Sequence, residues 1–301
     1  MPKKKNLSPR LIVVLIFLAL ADLTLAIRYV IQGQNVALFN PKGLIAFQQH
    51  SMMILTATVL LTIAIPTLFL FYFTAWKYRE TNTKASYEPD RPRGKWFNLS
   101  AWGIPTIFML VLATFMWSAT HRLVPQKLIA ANAKPITIQV VSMRWKWLFI
   151  YPEQNIATVN FVQIPVNTPI QFELTADAAP MSSFWIPNLG GQLYAMTGHI
   201  NRLNLIADTP GDYTGSSAEI NGAGFAGMKF MARAGSREAF DQWVQAVKRS
   251  PDVLDASTYK SVLAPSENNP PVLYSAYELN LYDKVLMKYN GSHNHLTEEY
   301  E

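Results

Sequence analysis

Two long stretches without a charged side chain limit what this chain can fold into. Residues 51–76 and 96–120 contain no Asp, Glu, Lys or Arg, and each is long enough to cross the hydrocarbon core of a bilayer. A membrane helix tolerates Pro66, and tryptophans lie near the ends of the stretches, where an aromatic belt is expected. The pattern predicts a transmembrane hairpin, with spans at about 51–76 and 97–120, in preference to a buried hairpin of a soluble protein.

The basic residues flank these stretches. Residues 1–120 carry 12 Lys and Arg against 4 Asp and Glu, whereas residues 121–301 carry 14 against 16. Six of the basic residues lie in 77–95, so the positive-inside rule predicts that this connection is cytoplasmic and that residues 31–50 and 121–301 lie outside. Nucleic-acid binding is not expected, because it needs basic groups on one face of a folded domain.

The N-terminus resembles an export signal in its charge pattern. Lys3, Lys4, Lys5 and Arg10 precede an apolar run from Leu11 to about Val30. Residues 1–30 are therefore predicted to be either a cleaved signal peptide or an uncleaved first membrane helix. Residues 31–120 would then form the hairpin region.

The remainder predicts a β-domain followed by helices. Alternating runs such as 136–140 and 170–174, separated by Pro- and Gly-containing turns, are typical of a β-sandwich over residues 121–235. Residues 236–301 form a helical extension and tail. Its first helix should be capped by Ser236 and end before Pro251, and a second should run from about Tyr277 to Tyr289 and end at Gly291.

The stretch from Ser217 to Met228 has the residue spacing of a metal-binding loop at the end of a β-sandwich, but few of its side chains can bind a metal. A soft copper site needs thiolate, imidazole and thioether ligands, and only Met228 offers one of these. The chain has no cysteine, which excludes disulfides and thiolate sites. His293 and His295 in the tail are predicted to be solvated, since two ligands do not make a site.

Several sequence motifs resemble those of subunit 2 of haem-copper terminal oxidases, and in particular those of the ubiquinol oxidase branch. They are Val141-Ser-Met-Arg-Trp-Lys-Trp-Leu-Phe-Ile-Tyr-Pro-Glu153, Ile156-Ala-Thr-Val-Asn160, Ser183-Phe-Trp-Ile-Pro187, Gly224-Phe-Ala-Gly-Met-Lys-Phe230 and Ala239-Phe-Asp-Gln-Trp243. The resemblance covers nearly the whole chain from about residue 40. It implies a membrane α-helical hairpin plus an all-β cupredoxin-like Greek-key sandwich, with C-terminal helices.

The resemblance also implies where a copper site has been lost. The cytochrome c oxidase branch binds two coppers through a His before Ser-Phe and through Cys-x-Glu-x-Cys-x-x-x-His-x-x-Met. The four substituted ligand positions are Ser182, Ser217, Asn221 and Phe225, and Glu219 and Met228 remain. We therefore expect no metal, no cofactor and no catalytic residue in this chain. Trp145 and Trp147, at the electron entry of that branch, are interpreted as core and interface aromatics.

What the resemblance implies about function is a non-redox subunit II of a proton-pumping ubiquinol oxidase of the aerobic respiratory chain. The haems, the catalytic copper and the ubiquinol site would belong to the large subunit I. The expected partners are that subunit, other oxidase subunits and the lipid bilayer, without cytochrome c. The expected location is the bacterial inner membrane, multi-pass, with the globular domain in the periplasm.

Three alternatives remain at this point: a menaquinol oxidase subunit II, a membrane-tethered cupredoxin-like binding module, and a copper-carrying subunit of a cytochrome c oxidase.

Relatives often carry a Glu for proton entry where this chain has Asn98, and an amide does not titrate at physiological pH. Relatives also often carry a Cys for lipidation. This chain has none, so the hairpin must hold it in the membrane.

Overall fold

The computed structural model describes residues 22, 25, 36–85, 94–129 and 133–297, with 290–297 described by their backbone alone. The predicted signal or first helix at residues 1–30 therefore lies almost wholly outside the described residues. The chain divides into two compact units, residues 1–40 and residues 41–301. In the first unit, Ala37–Phe39 form a short 3-10 turn. All further elements belong to the second unit.

Two helices, α1 (Leu44–Lys77) and α2 (Lys95–Arg122), contain the charge-free stretches. Both are long and apolar enough to span a membrane, and their most apolar windows are not buried within the chain. Threonine hydroxyls along both helices donate to the carbonyl oxygen four residues earlier, so these polar groups are satisfied within the helix. The helix α1 begins before the predicted span, because Gln48, Gln49 and His50 continue it beyond the apolar stretch.

Two sheets form the sandwich predicted after residue 121. The first sheet has the order β11-β3-β2-β1-β5-β8, in which β1 and β5 are parallel. Its strands are β1 (Ile136–Met143), β2 (Lys146–Tyr151), β3 (Ile156–Val159), β5 (Ile170–Ala176), β8 (Asn201–Leu205) and β11 (Val272–Tyr274). The second has the order β4-β10-β9-β6-β7. Its strands are β4 (Phe161–Pro165), β6 (Ser182–Trp185), β7 (Leu193–Ala195), β9 (Gly211–Ser217) and β10 (Lys229–Gly235).

Side-chain alternation divides the apolar residues of the first sheet between two cores. Trp147 and Phe149 of β2 face the second sheet, in the core that also holds Phe184 and Phe230. Leu148 of β2 faces the opposite way, into a smaller core under the C-terminal helices. Because both faces are covered, β2 is apolar at almost every position and does not show the polar alternation of a strand with one solvated face.

Three helices complete the chain: α3 (Arg237–Val247), α4 (Ala256–Leu263) and α5 (Leu281–Thr297). Ser236 accepts a hydrogen bond from the backbone of Ala239, which confirms the predicted N-cap of α3. The helix α4 and strand β11 were not predicted. The prediction that Gly291 ends the last helix is wrong, because α5 continues to Thr297; a single glycine costs a helix only about 1 kcal/mol.

Backbone hydrogen bonds join the hairpin to the sandwich within the second unit. Lys42 donates to the carbonyl of Asn188 at 2.8 Å, and the carbonyl of Lys42 accepts from Asp208 at 2.8 Å. Next to them, Gly43 forms a β-bridge with Ala207. At the end of α2, the backbone and the side-chain amide of Asn204 donate to the carbonyl of Pro125 at 3.0 and 3.1 Å. The two ends of the hairpin, just before α1 and just after α2, are therefore both attached to the sandwich.

Candidate functional site

The loop between β9 and β10 carries most of the positions where copper ligands are expected. The backbone of Ser217 donates to the carbonyl of Met228 at 3.3 Å, so the two ends of the loop are paired. Ala218 donates to the carbonyl of Ser183 at 2.9 Å, which attaches the loop to β6. The ladder between β6 and β9 continues this connection, with Phe184 opposite Ser217. The fold therefore places Ser182, at the start of β6, beside the loop.

Three of the six positions meet through one side chain. The amide nitrogen of Asn221 donates to the hydroxyl oxygen of Ser182 at 2.8 Å and lies 3.0 Å from the sulfur of Met228. Ser182 and Met228 are both fully buried. The hydroxyl of Ser182 also donates to the carbonyl of Pro180 at 3.2 Å. The amide group of Asn221 thus lies between the sulfur of Met228 and the start of β6.

The other three positions are used differently. The hydroxyl of Ser217 donates to the backbone carbonyl of Glu219 at 3.0 Å. The carboxylate of Glu219 is exposed and accepts from the hydroxyl of Tyr194 at 2.9 Å. That hydrogen bond, with the charge of Glu219, raises the pKa of Tyr194 above its usual value. Phe225 begins a 3-10 turn and is only half-buried.

These side chains do not fit a copper ion. The Asn221 amide N–H has no lone pair to offer, and the amide oxygen of Asn221, like the neutral hydroxyls, is a hard and therefore poor ligand for a soft metal. The one soft atom, the sulfur of Met228, faces the Asn221 amide. Over the described part of the chain, no group of three or more His, Cys, Asp or Glu side chains could hold a metal ion. No step of electron transfer through this loop can be derived from these residues.

Trp145 lies in the turn between β1 and β2 with a positive φ of 65°, and the glycines of the loop cover it. A Cβ on Gly224 would overlap the indole ring of Trp145, which explains the glycine at that position. Trp147 is fully buried and meets Phe184 and Phe230 edge to face, with ring centroids 5.3 and 6.0 Å apart. Trp147 is thus a core residue, and Trp145 is partly covered against the same core, while its place at an interface stays a prediction.

Two buried charged groups near the site were missed at the sequence level. The carboxylate of Asp177 accepts hydrogen bonds from the hydroxyls of Tyr259 and Tyr289 at 2.6 and 2.7 Å and from Lys288 at 2.7 Å. The ammonium group of Lys146 donates to the carbonyls of Val262 and Ala264 and to Ser266.

Both groups hold the C-terminal helices against the sandwich. Burial and the negative charge of Asp177 raise the pKa of Tyr259, whereas burial lowers the pKa of Lys146. The only sequence signal was the position of Lys146, a charged residue between Trp145 and Trp147. Nothing in the sequence could pair either group with partners about 80 to 120 positions away.

Two family models match parts of this chain. Residues 152–234 match the family model described as cytochrome c oxidase subunit II, periplasmic domain, and residues 248–293 match the COX aromatic rich motif. The periplasmic domain of subunit II of cytochrome oxidase of Bradyrhizobium japonicum aligns with a TM-score of 0.37 and 22% identity, over 40% of this chain and 96% of that one.

Two curated relatives align over most of their length. Cytochrome bo(3) ubiquinol oxidase subunit 2 of Pseudomonas putida is 42% identical over 287 residues, which are 95% of this chain and 88% of that one. Ubiquinol oxidase subunit 2 of Acetobacter aceti is 42% identical over 262 residues, 86% of this chain and 84% of that one. With its two apolar helices and its periplasmic-type domain, the chain is a membrane protein with a periplasmic domain. It belongs to the subunit 2 family of cytochrome bo(3)-type ubiquinol oxidases, within the cytochrome c oxidase subunit II superfamily.

Proposed function

We propose that this chain is the non-redox subunit II of a proton-pumping ubiquinol oxidase of the aerobic respiratory chain. The observation that carries the proposal is the hydrogen-bonded set of Ser182, Asn221 and Met228 at the copper-site positions, in a chain of the ubiquinol oxidase family. A quinol is dissolved in the membrane and can reach a large subunit directly. Its electrons then have no need of a metal relay in the periplasmic domain.

The proposed role of the chain is to cap and stabilise a large subunit I that carries the haems, the catalytic copper and the ubiquinol site. The unburied apolar windows of α1 and α2 support this role, since they can face membrane-embedded partners and lipid. The attachments at Lys42, Gly43 and Asn204 would hold the sandwich at a fixed position above those helices. Other oxidase subunits are also expected partners, and cytochrome c is not.

The proposed location is the bacterial inner membrane, with the sandwich in the periplasm. The hairpin region would comprise residues 31–120, the cupredoxin-like domain residues 121–235, and the helical extension and tail residues 236–301. Residues 77–95, with their six basic side chains, would be cytoplasmic. Asn98 lies near the start of α2, so any proton entry at this depth would use water or another subunit.

Purification of the complete complex from its native membrane tests the proposal. We expect this chain to co-purify with a large haem-bearing subunit, and the complex to consume oxygen when ubiquinol is supplied. Copper analysis should find only the copper of the large subunit. Two further coppers per copy of this chain would overturn the non-redox role, and isolation of this chain without a haem protein would favour the binding module. A strong preference for menaquinol over ubiquinol would show that the complex is a menaquinol oxidase.

A ligand graft tests the assignment of the degenerate positions. The variant carrying Ser182→His, Ser217→Cys, Asn221→Cys and Phe225→His restores imidazole and thiolate groups around Met228. We expect it to bind copper with a visible thiolate absorption band, while the chain without the graft binds none. A matched control grafts the same four residue types at exposed positions of α3. Equal copper binding in both variants would show that the loop has no copper-site geometry.

A further inference from the structure

The outer end of the hairpin holds two neighbouring cavities that the proposed function does not use. The upper one, of about 290 Å³, lies where α1 begins and α2 ends, and Arg122 and Lys127 line it. The lower one, of about 420 Å³, continues between the two helices and is lined by Met52, Leu55 and Phe115. Arg122 lines both cavities, so the basic pocket and the groove are adjacent.

The upper pocket carries two positive charges that no described residue compensates. Arg122 and Lys127 are exposed, and neither side chain has an ion pair or hydrogen bond with any residue in the described ranges. No Asp or Glu is among the described residues that line the pocket, whose other polar side chains include Gln48 and Gln49. Two cations and two amides can bind a phosphate group by charge and hydrogen bonding.

The lower groove is mostly apolar, and two of its three hydroxyl side chains are hydrogen-bonded within the helices. The hydroxyl of Ser51 donates to the carbonyl of Phe47 at 2.9 Å, and that of Thr114 donates to the carbonyl of Leu110 at 2.9 Å. These groups therefore offer little to a polar ligand. From Arg122 to Thr114, eight helical residues correspond to about 12 Å along α2. That length approaches the depth of one leaflet, about 15 Å.

We propose that this site binds one anionic phospholipid of the periplasmic leaflet, with its phosphate at Arg122 and Lys127 and one acyl chain in the groove between α1 and α2. An amphiphile satisfies both cavities at once, whereas a soluble anion would leave the groove empty. The lipid would also pack between the hairpin and the underside of the sandwich, since Gln192 and Asn204 line the same pocket. The leaflet assignment, but not the site, rests on the proposed orientation.

The test is to count the phospholipids that remain on the purified complex, by native mass spectrometry. The complex is exchanged into nanodiscs of phosphatidylglycerol or of phosphatidylcholine and then released into detergent. We expect the unmodified complex to retain one phosphatidylglycerol for each copy of this chain and to prefer it over phosphatidylcholine. In R122Q/K127Q the affinity for that lipid should fall at least about tenfold. The control K248Q/R249Q removes the same charge at exposed residues after α3 and should retain the lipid.

Two further arms distinguish a lipid from a free phosphate and from protein. Met52→Trp fills the groove and should release phosphatidylglycerol without changing the two cations; if this variant does not assemble, R122Q/K127Q alone decides. Inorganic phosphate at millimolar concentration should not displace the lipid. The proposal is overturned if phosphate does displace it, if an assembled M52W retains the lipid, or if R122Q/K127Q retains as much as the control. The last result would mean that the retained lipid is bound elsewhere in the complex. The lipid count does not depend on oxidase activity, so failure here leaves the proposed function standing.

Discussion

Asparagine side chains perform two separate tasks beside the degenerate site. Asn221 brings Ser182 and Met228 together through its amide nitrogen. Asn160 fixes the backbone under the aromatic core. Its side-chain oxygen accepts from the backbone of Trp147 at 2.9 Å, and its amide nitrogen donates to the carbonyl of Asn269 at 2.9 Å. Asn160 also has a positive φ of 54°, which Asn tolerates better than most residues.

Replacing Asn160 with Asp should destabilise the domain. The carboxylate would place an oxygen, in place of the donor, against the carbonyl of Asn269, at a position that is 3% exposed. We expect the free energy of unfolding of the purified full-length chain to fall by about 1–3 kcal/mol, measured by urea denaturation. Asn155→Asp is the matched control, because Asn155 has a φ of 55° but is exposed. Equal losses in the two variants would contradict the hydrogen-bond explanation.

Where secondary-structure elements meet, two kinds of joint hold the chain together. Backbone pairing at Gly43 attaches α1 to the sandwich, and the buried carboxylate of Asp177 attaches α4 and α5. The first joint is steric and depends on the absence of a side chain. The second is polar and depends on which groups carry protons, so the two should respond to different perturbations.

Gly43→Ala should weaken the joint between the hairpin and the sandwich. An added Cβ would overlap the carbonyl oxygen of Ile206 and lie 3.0 Å from that of Leu189, and backbone atoms cannot move aside easily. We expect a loss of about 1–3 kcal/mol and faster hydrogen exchange at the backbone amides of Lys42 and Ala46. Gly103→Ala, in α2, meets no atom within 4 Å and should be neutral or slightly stabilising. Unchanged exchange in the Gly43 variant would count against the steric explanation.

The polar joint predicts that stability falls in alkaline solution. Burial, and then the hydrogen bond to Asp177, raise the pKa of Tyr259. A tyrosine in the unfolded chain ionises near about pH 10, so the folded state holds this proton more tightly. The stabilisation that comes from the tighter binding of the Tyr259 proton is complete below that pH and is lost as the pH rises above it. Unfolding measured between pH 8 and 11 should show a shallower pH dependence for Tyr259→Phe. An unchanged slope would show that Tyr259 does not report on this joint.

For the whole molecule, the charge pattern predicts one orientation of the hairpin in the membrane. Because the chain has no cysteine, single cysteines can report that orientation without a background. In intact cells, a membrane-impermeant maleimide should label Ser257→Cys, which is exposed on α4, and should not label Thr83→Cys until the cells are permeabilised. Labelling of the Thr83 variant in intact cells would reverse the proposed topology.

The sequence was sufficient for the features that depend on local composition. Charge-free length predicted the hairpin, period-two runs at 136–140 and 170–174 predicted β1 and β5, and Ser236 predicted the start of α3. The resemblance to oxidase subunit 2, confirmed by the comparisons, agreed with the order of parts that periodicity indicated independently. Helix α4 was missed because a helix of eight residues depends on what it packs against and not on its own periodicity. The end of α5 was missed because one glycine costs a helix only about 1 kcal/mol and does not by itself end it.

Only the tertiary structure decided which side chains meet. The sequence indicated that residues 182, 217, 221 and 225 lack copper ligands, but not that Asn221 would bond both Ser182 and Met228. It could not pair Asp177 with Lys288, or Lys146 with Ser266, across more than 100 residues. It also did not show that Arg122, at the end of α2, lies beside a groove that α2 forms with α1. Composition and period act over neighbouring residues, whereas these contacts arise when distant segments are brought together by the burial of a shared core.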